Sequence, residues 1–586
     1  MRTYAFIPKA GGAPEHPEAS PALVVAGQFF PAVIQAMVGR KVSTSTRIHS
    51  VRRVFLVEGG KAVSDLYNFA ETVERFAKEH SEQLAIVVKE EGGVSQITYG
   101  ELVLQAALAH AALAKIGLAA GDPVLVLVGR GAFAYAIYLG LNRLGAVILP
   151  GSEMLRAGDI AYRVRHAQVK AIIVAAHVAD EVAKAVADDA NITLIVVGEP
   201  RTGFHTYHEL LTSVTVADVV APAKTSVDEM AFVSYTSGTT GGPKGVVHVH
   251  GWPRAHIANA ATHWFDVSPG EWAWATAGPG WAKWIWSPFV SILGKGGTAF
   301  VYTGKFDPER YLKLLEAYPI ALLCATPTEY RLMAKSPHMS QWKPVALRSA
   351  VSAGEPLNRE VIAAFLNRCG VYVRDGYGQT ENSLLVSTQT GMSVKPGSMG
   401  KPSPLHEVAV IDEDGRPLGV GEVGDIAVKK TAPTLFREYL YDPERTERAF
   451  RGDYYVTGDL GRYDEDGYLW FEGRADDMII SAGYTIGPFE VEDALVRHPA
   501  VAECAAVASP DEERGHIVKA FVVLKDGSAP LPELVSDLQE HVKATTAPYK
   551  YPREIEFVDQ LPKTTSGKIR RVELRTLEKQ RKLPRK

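Results

Sequence analysis

Three cysteines in 586 residues, Cys324, Cys369 and Cys504, lie far apart and form no Cys-x-x-Cys pair. That excludes a disulfide framework and a zinc cage and points to a reducing cytoplasm. Long hydrophobic runs are also missing. The most apolar stretch near the start, Pro21 to Val38, is broken by Pro31 and Gln35 and preceded by Glu15 and Glu18, so it does not make a convincing signal peptide. No window holds the roughly 20 continuous apolar residues of a membrane span. An excess of one charge is absent too: 63 Lys and Arg against 67 Asp and Glu give a net −4. Neither nucleic acid nor an anionic membrane is then an expected partner. No internal repeat or low-complexity array occurs.

What is present is core material. With 46% hydrophobic and 22% charged residues, a chain this long forms more than one domain. From about Ser64 onward, helical and strand-like runs alternate. The spacing predicts helices over Asn68–Glu79, Tyr99–Ile116 and Ala132–Leu144. Strands are expected at Leu84–Val88, Pro123–Val128, Ala171–Ala175, Ile192–Val197 and Met230–Ser234. This is an α/β pattern, with parallel sheets covered by helices. Residues 1–63 fit it poorly and read as an atypical extension. Short strands joined by Asp-Gly turns fill 452–473. Beyond Arg474 a small α+β domain is expected: helices at Phe489–Arg497 and Leu531–Thr545, strands at Glu503–Ala508 and Val518–Leu524. Lys563 to Lys586 holds ten Lys/Arg against two Glu, most simply a solvated face.

The densest motif is Tyr235-Thr-Ser-Gly-Thr-Thr-Gly-Gly-Pro-Lys-Gly245. Its glycines, its hydroxyls (Thr236, Ser237, Thr239, Thr240) and Lys244 suit a loop that wraps a polyphosphate, with Gly238 among the residues that let backbone N–H groups approach. The P-loop rule fails, because Pro243 precedes Lys244 and Gly245 follows it. This signature resembles the phosphate-binding motif of the adenylate-forming superfamily: acyl-CoA synthetases, peptide-synthetase adenylation domains and luciferases. Ser352-Ala-Gly-Glu-Pro356 and Asp375-Gly-Tyr-Gly-Gln-Thr-Glu381 resemble its adenine-binding strand ends. Tyr455-Val-Thr-Gly-Asp459 resembles the ribose motif, Gly473-Arg-Ala-Asp-Asp477 the hinge, and Pro562-Lys-Thr-Thr-Ser-Gly-Lys568 the catalytic-lysine loop. The matches run from about 65 to 575.

The resemblance implies a large N-terminal domain of stacked sheets (64–473) and a small mobile C-terminal domain (474–586) pivoting at Asp476. It implies ATP, Mg²⁺ and CoA as reactants and metal, with a small carboxylic acid as the other substrate. Lys568 would bridge carboxylate and α-phosphate, Thr380 would donate to that phosphate, and Glu381 would hold the metal. Asp459 and Arg474 would meet the ribose. Tyr377 would stack on adenine opposite the backbone of Gly354, Glu355 and Pro356, with Asp375, Gly376, Gly378 and Gln379 completing the ATP site. Ala482, Gly483 and Tyr484 match the pantetheine-side turn. Arg514, Lys543 and Arg553 fall at positions resembling the CoA-phosphate contacts of medium-chain acyl-CoA synthetases, the subfamily most similar here. One departure is Thr485, where most relatives carry Arg.

The expected activity is AMP-forming acyl-CoA synthesis. Transfer to a carrier-protein thiol and a non-catalytic nucleotide-binding relative are the alternatives, and oligomeric state stays open, homo-oligomers included. Acetate-specific relatives carry Trp where this chain has Gly378, so a longer, branched or aromatic acid is expected, in a pocket walled by Trp281 and Trp284. Lys283 in the same segment either meets a polar acyl group or, as the favoured reading, reaches solvent.

Overall fold

Asn68 begins the first helix among the described residues as a cap: its carboxamide oxygen accepts from Ala70 N, and Phe69–Glu79 follows with Phe69, Ala70, Val73 and Ala77 facing inward. A computed structural model describes residues 64–586, apart from 188, 190, 237–242, 356, 358, 475–476, 482–483, 512–513, 564–568 and 583–586, with the backbone alone at Thr485. The expected extension 1–63 lies outside the described residues. All described residues belong to one unit, Val51–Lys586.

Among the described residues, two large sheets form most of the molecule. The first runs in the order Lys401–Pro402, Val386–Ser387, Val373–Tyr377, Ser349–Ala353, Ile320–Ala325, Trp272–Ala275, Thr298–Tyr302, Leu84–Glu90, Gly93–Thr98. Its middle strands are parallel, so their C-terminal ends share one edge. The register sets Ala353 opposite Gly376 there, which places two of the sequence motifs side by side.

The second sheet runs Glu438–Tyr439, Lys244–Val249, Met230–Thr236, Val147–Pro150, Pro123–Leu127, Ala171–Ala175, Thr193–Val197, His205–Thr206. Helix Ala132–Leu144 is buried continuously from Ala134 to Leu144 and shares the largest core cluster with strands of both sheets. It can pass so close to helix Tyr99–Lys115 because Gly140 carries no side chain: a Cβ there would lie 2.7 Å from that of Ala109.

A third sheet carries Val408–Ile411, Gly424–Lys429, Tyr454–Tyr463, Phe450–Arg451 and Leu469–Arg474. Beyond Arg474, described strands pair only with one another. Ile479–Ser481 pairs with Tyr484–Ile486, while Val501–Asp511, Gly515–Leu524 and Glu554–Phe557 form a three-stranded sheet. Helices Pro488–Val496 and Pro532–Thr545 cover it through Val491, Leu495, Leu538 and Val542. The predicted α/β class and the small C-terminal α+β region are both present. Strands extend beyond their apolar cores, as at Val501–Asp511, because ladder hydrogen bonds continue where apolarity stops. Two helices depart from the simple pattern: Ile257–Phe265 and Ile285–Ile292 are π-helical, the second with Pro288 inside it.

Candidate active site

The strands flanking the Gly-rich motif pair as a hairpin, with Thr236 opposite Lys244 at its mouth. Ser237, Gly238, Thr239 and Thr240 lie outside the described residues. Tyr162 Oη donates to Pro243 O at 2.7 Å and holds the loop's exit. Lys244 Nζ reaches across to Glu381 Oε1 at 2.7 Å, and Tyr439 Oη donates to the same oxygen at 2.9 Å while receiving a bond from Lys244 at 3.0 Å. Glu381 is 5% exposed, so its charge is matched inside the protein. Sequence reading missed Tyr439. Nothing in a two-residue edge strand signals that register sets Tyr439 against Val246, two residues from Lys244.

Thr380 and Glu381 ride on a tight turn after strand Val373–Tyr377, and donors from several elements hold its carbonyls. His248 Nε2 donates to Thr380 O at 2.6 Å, Phe436 N to Glu381 O at 2.6 Å, Thr434 Oγ1 to Asn382 O at 2.8 Å and Asn259 Nδ2 to Leu384 O at 3.2 Å. His406 Nε2 in turn donates to Thr434 Oγ1 at 2.6 Å. Ser383 Oγ donates to His256 Nδ1 at 2.8 Å, and His256 Nε2 donates to Trp286 O. Burial pushes His248, His250 and His406 down to about 4 and His256 to about 3, so all four are neutral near pH 7.

Around Asp459 the structure brings together Tyr377, Gln379 and Arg474. Tyr377 Oη donates to Asp459 Oδ2 at 2.6 Å, Gln379 Nε2 donates to it at 2.8 Å, and Arg474 Nε lies 3.3 Å from Oδ1. Gln379 is the connector, since it also donates to Thr457 O and accepts from Tyr455 Oη. Asp375 is buried beside Gly376, whose N–H it accepts, and burial raises its carboxyl to about 7. Gly354 ends its strand at φ +110°, a conformation glycine favours. Glu355 accepts from Thr328 Oγ1 and faces Arg331 at 3.5 Å. Pro356 and Lys568 lie outside the described residues, as do Asp476, Ala482 and Gly483.

Two expectations about the acyl side need correction. Lys283 does not reach out to solvent: it is half-buried and its Nζ donates to Ala353 O at 2.8 Å, held by the carbonyl at a strand end. Nor is the missing side chain of Gly378 open space. A Cβ there would lie 1.5 Å from Ser383 O, because the turn folds its own backbone back over the glycine. Trp284 is buried against Tyr135, Tyr138 and Phe289 and lines a cavity with Arg130, Tyr135, Trp274 and Thr276, whereas Trp281 is half-buried.

In the C-terminal region, Lys543 and Arg553 converge on the ring of Tyr551, at 4.3 and 4.9 Å from its centre. Arg514 lies in the turn before Gly515–Leu524, its backbone N–H donating to Asp511 Oδ1. Tyr484, 51% exposed, stacks on Tyr549 with ring centres 4.5 Å apart. Among the described residues no cluster of three His, Cys, Asp or Glu could hold a metal ion by itself, and no helix is long and apolar enough to cross a membrane.

Comparison with known proteins agrees with this arrangement. The AMP-binding enzyme family model matches residues 73–440, and that of the AMP-binding enzyme C-terminal domain matches 490–568. The chain is 53% identical over 520 residues to an uncharacterized acyl-CoA ligase, YtcI, of Bacillus subtilis (strain 168), covering 89% of this chain and 98% of that one. It is 41% identical to the mitochondrial acyl-coenzyme A synthetase ACSM3 of Mus musculus, over 78% of this chain and 80% of the relative. Among solved structures, the anthranilate CoA ligase AuaEII in complex with anthranoyl-AMP superposes with a TM-score of 0.81 at 28% identity, covering 89% of this chain and 98% of that one. A benzoate CoA ligase from Burkholderia xenovorans LB400 gives 0.78 at 30% identity, covering 87% and 100%. The chain belongs to the AMP-binding enzyme family, as an AMP-forming acyl-CoA ligase.

Proposed function

We propose that the convergence of Lys244, Glu381 and Tyr439 beside the Asp459 cluster is the nucleotide end of this ligase, and that observation carries the assignment of roles. In the first half-reaction a carboxylate oxygen bonds to the α-phosphorus of ATP, and the bond to the β-phosphate oxygen breaks to release pyrophosphate. In the second, the CoA sulfur bonds to the acyl carbon and AMP leaves. Lys244 and the hydroxyls of the 236–240 loop would hold the outer phosphates. Thr380 and Lys568 would meet the α-phosphate, where donors aimed at developing charge lower the barrier. Asp459 and Arg474 would hold the ribose, and Tyr377, Asp375 and the Gly354–Glu355 backbone would hold adenine.

A lone buried carboxylate suits Mg²⁺, which binds through one or two carboxylates plus phosphate oxygens. Glu381 would therefore hold the metal, whose chemistry is to neutralise charge on the departing pyrophosphate. Tyr484, Lys543, Arg553 and Arg514 would serve CoA, with Asp476 as the pivot that presents the C-terminal region to each half-reaction in turn. The structural neighbours named for anthranilate and benzoate support an acid larger than acetate, aromatic acids included. Isolated cysteines favour a reducing cytoplasm as its place of work.

Pyrophosphate release, measured over a panel of acids with and without CoA, tests this reading. Lys568→Ala should lower adenylation by at least about 100-fold, while thioester formation from supplied acyl-adenylate persists. Equal loss in both half-reactions would defeat the assignment. Asp476→Pro, which fixes φ at the pivot, should keep single-turnover pyrophosphate release and suppress thioester. Normal thioester turnover would place the pivot elsewhere.

A further inference from the structure

We infer that His248 is a positioning residue for adenylation: through its Nε2–H bond to the Thr380 carbonyl it fixes where the Thr380 hydroxyl and the Glu381 carboxylate stand. The inference rests on the reading that these two residues act at the triphosphate.

Strand Lys244–Val249 alternates faces along its length, so Lys244, Val246 and His248 project to the same side. The strand therefore grips the turn twice, by Lys244 at the Glu381 carboxylate and by His248 at the Thr380 carbonyl. The two grips differ in kind. Lys244 is a cation for which an incoming polyphosphate competes, and its hold on Glu381 must loosen when phosphate arrives. His248 is neutral, 2% exposed, and bonded to a carbonyl that no ligand replaces. Its grip persists while the ionic one is exchanged.

The chemistry of the partner fixes the tautomer. A carbonyl only accepts, so Nε2 carries the proton, and Nδ1 has no hydrogen-bond partner among the described residues. Ring contacts hold the imidazole in place: Trp252 lies 5.2 Å from His248 and stacks on His256 at 4.8 Å. A hydrogen bond from a fixed ring to a backbone atom one residue from a carboxylate ligand is the arrangement by which supporting residues commonly orient such ligands.

The test compares His248→Phe, His248→Gln and His248→Asn with Glu381→Gln. The acid is whichever of butyrate, hexanoate, isobutyrate and benzoate wild type uses fastest. Adenylation is followed by ATP–pyrophosphate exchange, and thioester formation starts from the corresponding acyl-adenylate. Phe keeps the ring but removes the donor, and should lower the adenylation kcat by about 10–100-fold, with KM for the acid and the thioester half-reaction unchanged. Gln places an amide nitrogen at similar reach and should restore most of the rate, whereas the shorter Asn should not. Should the Phe variant fail to fold, the Gln and Asn pair carries the comparison.

Equal loss in both half-reactions, or Gln no better than Asn, would reduce His248 to a structural residue and overturn the inference. Glu381→Gln separates the two readings. If it abolishes exchange while every His248 variant runs at the wild-type rate, this inference alone fails. If Glu381→Gln itself leaves exchange intact, the placement of the triphosphate fails first.

Discussion

The floor beneath the Thr380–Glu381 turn and the C-terminal α+β region solve the same problem, holding buried polar groups, with opposite chemistry. In the floor the donors are neutral: His248, His256, His406, Asn259 and Thr434. In the C-terminal region the holds are ionic. Glu578, fully buried, takes Lys519 and Ser509, Glu492 takes Arg571 at two oxygens, and Asp477 takes Arg575. A polyanion that enters here competes with Glu381 for Lys244, while the neutral framework beneath the turn carries no charge to be exchanged. Ionic holds suit a region with no such guest at its core.

The largest test of this contrast is acid. A histidine whose folded pKa lies below its ordinary 6.5 stabilises fully above 6.5, and that stability drains away as pH falls through the folded value. The three floor histidines, His248, His256 and His406, therefore give up a contribution on the order of several kcal/mol as pH falls from 6.5 toward their folded values. Hydrogen exchange at pH 5.5 should therefore show the floor losing protection while the C-terminal sheet keeps it. Glu556, held low by Lys519 and Arg581 against an opposing burial effect, gives up its share only below about pH 4.5. Uniform loss across both regions at pH 5.5 would dissolve the contrast.

Second in size is Glu578→Ala, which strips Lys519 of its most buried partner and leaves only Glu556 at 2.8 Å and the more distant Glu554. Breaking a buried pair from one side typically costs about 3–5 kcal/mol, so urea unfolding followed in the C-terminal region should move by about 3 kcal/mol. A change under about 1 kcal/mol would mean that this pair behaves as a surface pair does.

Next comes Gly378→Ala. Because the turn is pinned at successive carbonyls, it cannot drift to admit a methyl, and misplacement of about 1 Å lowers rates by about 100-fold. Pyrophosphate exchange should fall accordingly with every acid tried, not selectively with long ones. Smallest is salt: raising NaCl to 1 M should weaken the C-terminal ion pairs by at most about 1 kcal/mol and leave the floor's stability unmoved.

Much of this was legible in the chain. The paired strand-end motifs and the Asp459 motif were legible as local patterns, and the structure brings Tyr377, Gln379, Asp459 and Arg474 together as neighbours. The α/β class followed from apolar runs at Pro123–Leu127 and Ala171–Ala175. What stayed hidden depends on register between distant segments. Tyr439 meets Lys244 across 195 positions. His248 could have been suspected from its two-residue alternation with Lys244, but its carbonyl partner could not. Gly378 misled for a similar reason: a glycine reads as absence in a sequence, while in space the backbone of Ser383 fills it.

That crowding limits which residues can stand at position 378. Gly378 and the Ser383 carbonyl occupy mutually exclusive volumes, and Ser383 itself holds φ at +66°. A bulky residue at 378 is admissible only after the 379–384 turn has been rebuilt, and rebuilding that turn first would surrender Thr380 and Glu381. The two positions are therefore coupled sterically, and a side chain at one requires a compensating backbone change at the other. Placing a bulky side chain at 378 thus means exchanging the whole turn as a block.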